Sequence, residues 1–141
     1  MIKVYAALYE DINSGWIWQQ GSELPQRSVV RIRNAANGKS VHCETLQIDE
    51  NFLARYNQPP RSNIVPNTNV VIMNEWYRTR LGCPQTFRDY DLNIQPANCL
   101  WGKFWACIEH PQIIIRFGMW LGFIGVILGI VGVILTIQSM L

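Results

Sequence analysis

Beyond Arg116 the chain carries no charged residue, and over its whole length charged residues are scarce, at 16%. A concentrated basic face is also missing. Residues 1–112 hold eleven of the twelve Lys and Arg against all ten Asp and Glu, near-neutrality that argues against a nucleic-acid partner. The four cysteines, Cys43, Cys83, Cys99 and Cys107, form no CxxC pair, and a cytoplasmic setting would keep them reduced, so a disulfide framework is not expected. Cys107 and His110 lie one helical turn apart, but Cys99 would be about 12 Å from Cys107 along the same helix, too far to share a zinc ion. There is no glycine-rich phosphate loop, no HExxH and no paired metal motif. No cofactor is expected. Internal repeats, low-complexity tracts and an amino-terminal export signal are likewise not visible, since Lys3 is followed at once by Glu10 and Asp11.

What is present in abundance is apolar sequence at the carboxyl end. Residues 117–137 are free of charge, and at about 1.5 Å per residue they match the roughly 30 Å hydrocarbon core of a bilayer. A transmembrane helix over residues 113–138 is therefore expected, with a short tail at 139–141. Arg116 marks its inner boundary, with Lys103 and His110 further back. The positive-inside rule then keeps the preceding hundred-odd residues in the cytoplasm, a tail-anchored, single-pass arrangement. Gly118, Gly122, Gly125, Gly129 and Gly132 recur at steps of four, three, four and three, and Thr136 continues them. That spacing places small residues on one seam, where backbones can approach and helices associate in lipid. The lipid bilayer and a second copy, or another membrane helix, are the partners this predicts.

Just before the span, residues 98–110 place Leu100, Trp101, Phe104, Trp105 and Ile108 on one arc of a helix, with Lys103 and His110 opposite. Trp101, Phe104 and Trp105 suit the headgroup level. An interfacial amphipathic helix over 98–112, ended by Pro111, is expected. The alternative is a helix packed on the preceding domain, and both make it the coupler between domain and anchor.

Residues 1–97 suffice for one small domain. Short strands are expected over 2–8, 16–20, 28–34, 39–48, 69–74 and 89–97. Asn37-Gly38 supplies the positive φ angles of a hairpin loop between the third and fourth. Val30 and Ile32 alternate with Arg31 and Arg33, and Val41 and Cys43 with His42 and Glu44, so one face is apolar and the other charged. His42 and the arginines read as a solvated cross-strand patch. A short helix capped by Asp49 turns Phe52, Leu53 and Tyr56 inward, a second runs over 75–81 to Gly82, and the proline- and asparagine-rich loop 58–68 is a candidate contact segment.

The stretch VVIMNEWYRTRLG followed by DLNIQPA resembles the second half of the double-psi β-barrel in the N-terminal domain of valosin-containing AAA ATPases. There, a strand ending in Met-Asn leads to a short helix ending in Arg-x-x-Leu-Gly and then to a strand ending in Ile-x-Pro. The matching residues are Met73, Asn74, Arg78, Arg80, Leu81, Gly82, Ile94, Gln95 and Pro96, within residues 28–97. Two departures stand out. The ATPase module and the second subdomain of that family's adaptor cleft are absent, and six residues, 83–88, are inserted before the last strand. The resemblance implies a mainly β fold, a small double-psi-like barrel with short helices, that binds proteins.

Chemistry known on such barrels finds no purchase in the sequence. Asn13-Ser14-Gly15 lacks the carboxylate of an aspartic-protease motif. Gly21-Ser22 is an ordinary loop dipeptide rather than a pyruvoyl cleavage site. His42 and Cys43, as strand neighbours, point to opposite faces and cannot form a nucleophile and base pair. The expectation is a non-enzymatic membrane module whose cytoplasmic barrel recruits or scaffolds an unidentified protein. Arg31, Arg33, Arg78 and Arg80 are the candidate recruitment surface, and the glycine seam the oligomerising element. The alternative is a small membrane effector that forms a pore or disrupts the bilayer, against which the lack of a polar lining beyond Thr136 weighs.

Overall fold

The structure, a computed structural model, describes residues 1–21, 23–61, 63–65 and 69–140. Strands β1 (Ile2–Ala6), β2 (Trp16–Gln19), β3 (Ser28–Asn34) and β4 (Ser40–Gln47) precede helix α1 (Glu50–Tyr56). Then come β5 (Val70–Met73), α2 (Glu75–Leu81), β6 (Arg88–Tyr90), β7 (Leu92–Pro96), α3 (Leu100–Ile108) and α4 (Ile113–Met140). All seven strands form one mixed sheet in the order β6-β1-β5-β2-β4-β3-β7. The pairs β1·β5 and β2·β4 are parallel and the others antiparallel.

The curl of this sheet follows from one residue. β6 and β7 occupy opposite edges, yet only Asp91 separates them in the chain, so the two edges are drawn together. The Ala35 amide donates to the Asp91 carbonyl at 2.8 Å and fixes the crossing. The result is a curled half-barrel with helices, consistent with a double-psi-like fold. The single last strand expected over 89–97 is in fact these two, on different neighbours. Part of the inserted segment 83–88 explains this, because the Phe87 amide donates to the Val4 carbonyl and Arg88 pairs with Val4, giving β1 an edge partner.

Alternation along the strands sorts the residues as their polarity demands. On β3, Val30 and Ile32 are fully buried while Arg31 and Arg33 are exposed. β5 is buried on both faces, because Val71 and Met73 join the core that holds Tyr77 and Leu81 of α2, whereas Val70 and Ile72 join the cluster of Phe52 and Tyr56 from α1. Each such aliphatic side chain contributes roughly 1.5–3 kcal/mol. The helices are short but capped. Asp49 accepts from the Phe52 amide at 2.7 Å, and Asn74 accepts from the Tyr77 amide at 3.1 Å. Gly82 takes the left-handed conformation, φ 71°, that ends α2. The Asn34 and Asn37 side chains donate to the Leu81 carbonyl at 3.0 and 2.9 Å, tying the β3–β4 hairpin to the end of α2.

The last helix differs from everything before it. α4 runs for 28 residues, about 42 Å, has a mean hydropathy of 2.6 over its most apolar 18 residues and buries none of its residues. It is long and apolar enough to cross a membrane.

Candidate functional site

Some of the residues singled out in the sequence, His42, Arg80, Trp101, Phe104, Trp105 and Arg116, lie at the joint where the barrel meets α3 and α4. The joint begins at the end of β7, where the Ala97 amide donates to the Val29 carbonyl and Asn98 Oδ1 accepts from the Val29 amide, both at 2.7 Å. This pins the chain to β3 before the helix starts. Cys99 Sγ caps α3, accepting from the Gly102 amide at 3.4 Å. Gly102 is buried, and a β-carbon there would collide with the Ala97 carbonyl oxygen. Glycine is what lets α3 lie down on the sheet.

At the other end of α3, Glu109 locks three elements together. Its carboxylate is only 10% exposed, accepts from the His42 backbone amide at 2.6 Å and lies 2.9 Å from His42 Nδ1, while Arg80 reaches it at 3.4 Å. The Glu109–Arg80 ion pair, with His42 as a further partner of the same carboxylate, is thus partly buried, where removing one partner strands the others. The Glu109 carbonyl accepts from Trp76 Nε1 at 2.8 Å. His42 also stacks on Trp105, with ring centroids 6.4 Å apart. His42 is therefore not part of a solvated patch: its side chain is 17% exposed and held by a carboxylate from sixty-seven positions away.

Past α3, His110 lies against Gly15 and its Nδ1 accepts from the Gln112 amide at 3.0 Å. Burial holds this imidazole below its ordinary range. Pro111 follows, and α4 starts two residues later. In its first turn Arg116 stands over the Trp76 ring at 4.4 Å, while Arg80 lies 5.5 Å from the same ring. Rings continue the contact along α4: Trp101 meets Phe104 and Trp105, Phe104 meets Phe123 at 5.6 Å, and Trp120 meets Phe123 at 6.2 Å. α3 thus runs beside the first half of α4, with the barrel on its other side.

Not all expected site residues meet here. Arg31 shares a cavity of about 340 Å³ with Trp101, Trp105, His42 and Glu109. Arg33 points outward from β3, Arg78 donates to the Pro84 carbonyl at 2.9 Å, and Arg80 turns to Glu109. Arg31 and Arg80 thus both lie by Glu109, while Arg78 is taken up by the Pro84 carbonyl and Arg33 is exposed on β3. Trp101 remains 62% exposed, and Phe104 and Trp105 are half-buried. Around Gly118, Gly122, Gly125, Gly129 and Gly132, a β-carbon would meet nothing within 4 Å. Ser22, and Ser62, Pro66, Asn67 and Thr68 of the 58–68 loop, lie outside the described residues.

Chemically reactive groups in the joint are held in quiet states. Burial pushes the Cys43 thiol far up, with Glu109 and Glu44 adding to it, and burial also raises Cys107. Ser40 lies on the same strand face as His42, but its hydroxyl partner is Arg31, at 3.5 Å. Sequence reasoning missed Glu109, Trp76, Asn98 and Gly102. Glu109 had a signal: it is the only acidic residue after Asp91.

No protein-family model matches the chain, and no curated protein does. Among solved structures the chain is similar to the crystal structure of the rationally designed apDPBB_sym_79 protein, at 16% identity and a TM-score of 0.47, over 68% of this chain and 94% of that one.

Proposed function

We propose that this protein is a non-enzymatic, single-pass membrane module whose barrel is held rigidly against the bilayer surface to recruit or scaffold a protein partner. The observation that carries this reading is the pairing of a 28-residue apolar helix that buries none of its residues with a joint that fastens it to the barrel on two sides. A flexible linker would leave the domain free to roam. Here Glu109, Gly102 and the ring chain fix it. Trp101, Phe104, Trp105, Trp120 and Phe123 lie together at one level and suit the headgroup region. The hydrocarbon-spanning part then begins after Phe123, later than composition suggests, and residues 124–140 provide about 25 Å of helix, at the short end of what spans a bilayer.

The barrel faces the cytoplasm in this reading, following the basic residues on its side of the span. Association of tails through the glycine seam would multiply weak partner contacts by avidity. The inert states of Cys43 and Cys107, and the engagement of Ser40 by Arg31 instead of His42, support a binding role over catalysis. In the test, cells expressing the full chain are lysed without detergent and the membranes are washed with alkaline carbonate. Retention in the pellet, with the barrel protected from protease added to intact cells, is expected. Recovery in the supernatant, or cleavage from outside, overturns the proposal.

A further inference from the structure

Beside the joint lies a second cleft, about 560 Å³, lined by Asn13, Glu75, Trp76, Thr79 and Arg80 among others. Its back wall is the Trp76 indole, whose orientation is set by the bond from Nε1 to the Glu109 carbonyl. Arg80 lies by this ring, and Arg116 of α4 stands over it. The two guanidiniums differ in what occupies them. Arg80 is shared with the Glu109 carboxylate, whereas Arg116, among the described residues, forms no salt bridge and lies over the ring with His110 nearby. Asn13 and Thr79 add an amide and a hydroxyl at the rim, and the opposing charge is Glu75, exposed in the first turn of α2.

The position of this cleft along α4 decides what it can meet. Arg116 precedes Trp120 by one turn and Phe123 by about 10 Å of helix. With the ring cluster at the edge of the hydrocarbon, the Arg116 backbone stands at the outer limit of the polar layer, which is roughly 5–7 Å deep on each side, and its long side chain reaches into it. Phosphate groups occupy that layer. Planar guanidinium groups match phosphate oxygens with paired hydrogen bonds, and stacking on an indole pre-orders them at small entropic cost.

From this geometry we infer that the cleft lined by Trp76 and Arg80, with Arg116 standing over the Trp76 ring outside that lining, binds the phosphate of an anionic phospholipid headgroup. The inference rests on the membrane reading above. It goes further by naming a lipid class and the side chains that read it. Arg116 supplies the uncommitted charge, Arg80 the second guanidinium, and Asn13 and Thr79 neutral donors. Glu75 limits affinity. The lipid would also brace the joint, because both guanidiniums it touches come from different elements, α2 and α4.

The test uses the full chain purified in a mild neutral detergent, with thermal unfolding followed by tryptophan fluorescence. Added phosphatidylglycerol is expected to raise the midpoint, phosphatidylcholine at the same mole fraction to leave it in place, and inorganic phosphate to have no effect. Arg116→Gln should weaken the apparent affinity for phosphatidylglycerol about fivefold, the effect of one juxtamembrane basic residue. Thr79→Glu should weaken it similarly, and Glu75→Gln should strengthen it. The last two positions are exposed, so they carry the test even if Arg116→Gln fails to fold. Equal responses to the two lipids, or variants that all respond as the parent does, overturn the site. Inorganic phosphate matching the lipid overturns the lipid as its source. A chain that pellets with membranes yet shows no lipid preference defeats this site alone, whereas a chain soluble without detergent defeats the membrane reading beneath it.

Discussion

α3 and α4 follow one another with four residues between them, both apolar, both containing glycine, and they use those glycines for opposite purposes. In α3, Gly102 is buried where any β-carbon would strike the Ala97 carbonyl, and the helix is stitched to the barrel by Glu109 and its partners. In α4, five glycines face open space, and among the described residues Arg116 and the rings near its start tie it to the barrel side. Water is the solvent that organises the first helix: it must bury its apolar arc on protein and satisfy its polar groups there. The second helix touches α3 and the barrel only near its start, and its uncharged stretch after Arg116 is long and apolar enough to cross a membrane. Apolar composition alone does not separate the two cases, but what a β-carbon would meet does.

The sharpest way to break this contrast is to undo the lock on α3. Glu109→Ala leaves the His42 amide without its acceptor and Arg80 without its carboxylate. Loss of charge-assisted hydrogen bonds of this kind costs about 2–3 kcal/mol, so the full chain in detergent should unfold at a markedly lower temperature. The region around α3 should also become the first cut in limited proteolysis. If Glu109→Ala unfolds as the parent does, α3 is not held by this carboxylate and behaves like α4, as a helix merely lying nearby.

A second experiment sets the two kinds of glycine against each other directly. Gly102→Ala is expected to cost about 2 kcal/mol, the range for forcing a methyl into a packed site, because its obstacle is backbone and cannot swing aside. Gly122→Ile with Gly129→Ile should leave unfolding of the monomer unchanged, since nothing stands within 4 Å, and should weaken tail association in a membrane two-hybrid assay. An association signal that survives the double substitution would remove the seam from the account. A Gly102→Ala chain as stable as the parent would remove the distinction between the helices.

How much of this could be read from sequence divides along the same line. Elements whose signals are local were legible: the alternation of Val30 and Ile32 with Arg31 and Arg33, the cap Asp49, the stop at Gly82 and the break at Pro111 all match the structure, whereas Asn74, read as the end of a strand, is the cap of α2. The long apolar helix was equally plain, being a property of composition. What escaped depends on pairings far apart in the chain. The switch of edges at Asp91 requires knowing that β6 sits on β1 and β7 on β3. The Glu109–His42 contact spans sixty-seven positions. His42 looked solvated because alternation places it on the outer face of β4, and no periodicity reveals that a later helix covers that face. Gly102 looked like one more helical residue for the same reason.

The smallest effect concerns the turn between the two helices, where His110 is folded against Gly15. Burial lowers its affinity for a proton, with Arg116 acting in the same direction and Glu44 opposing them. Its Nδ1 accepts from the Gln112 amide, and a proton on that nitrogen would set donor against donor. The folded state therefore takes up the proton less readily than the unfolded chain, whose histidine titrates near 6.5. Above that pH the contribution to stability is constant. Below it, the unfolded state binds more protons and stability falls, levelling off once the pH passes under the folded value. Unfolding midpoints of the full chain, compared on either side of pH 6.5, should drop modestly on the acid side, and His110→Gln should flatten the drop. A parent and variant with the same pH profile would show that the turn tolerates a charged ring, and that the hinge between α3 and the long apolar α4 is looser than the geometry of Gly15, His110 and Gln112 implies.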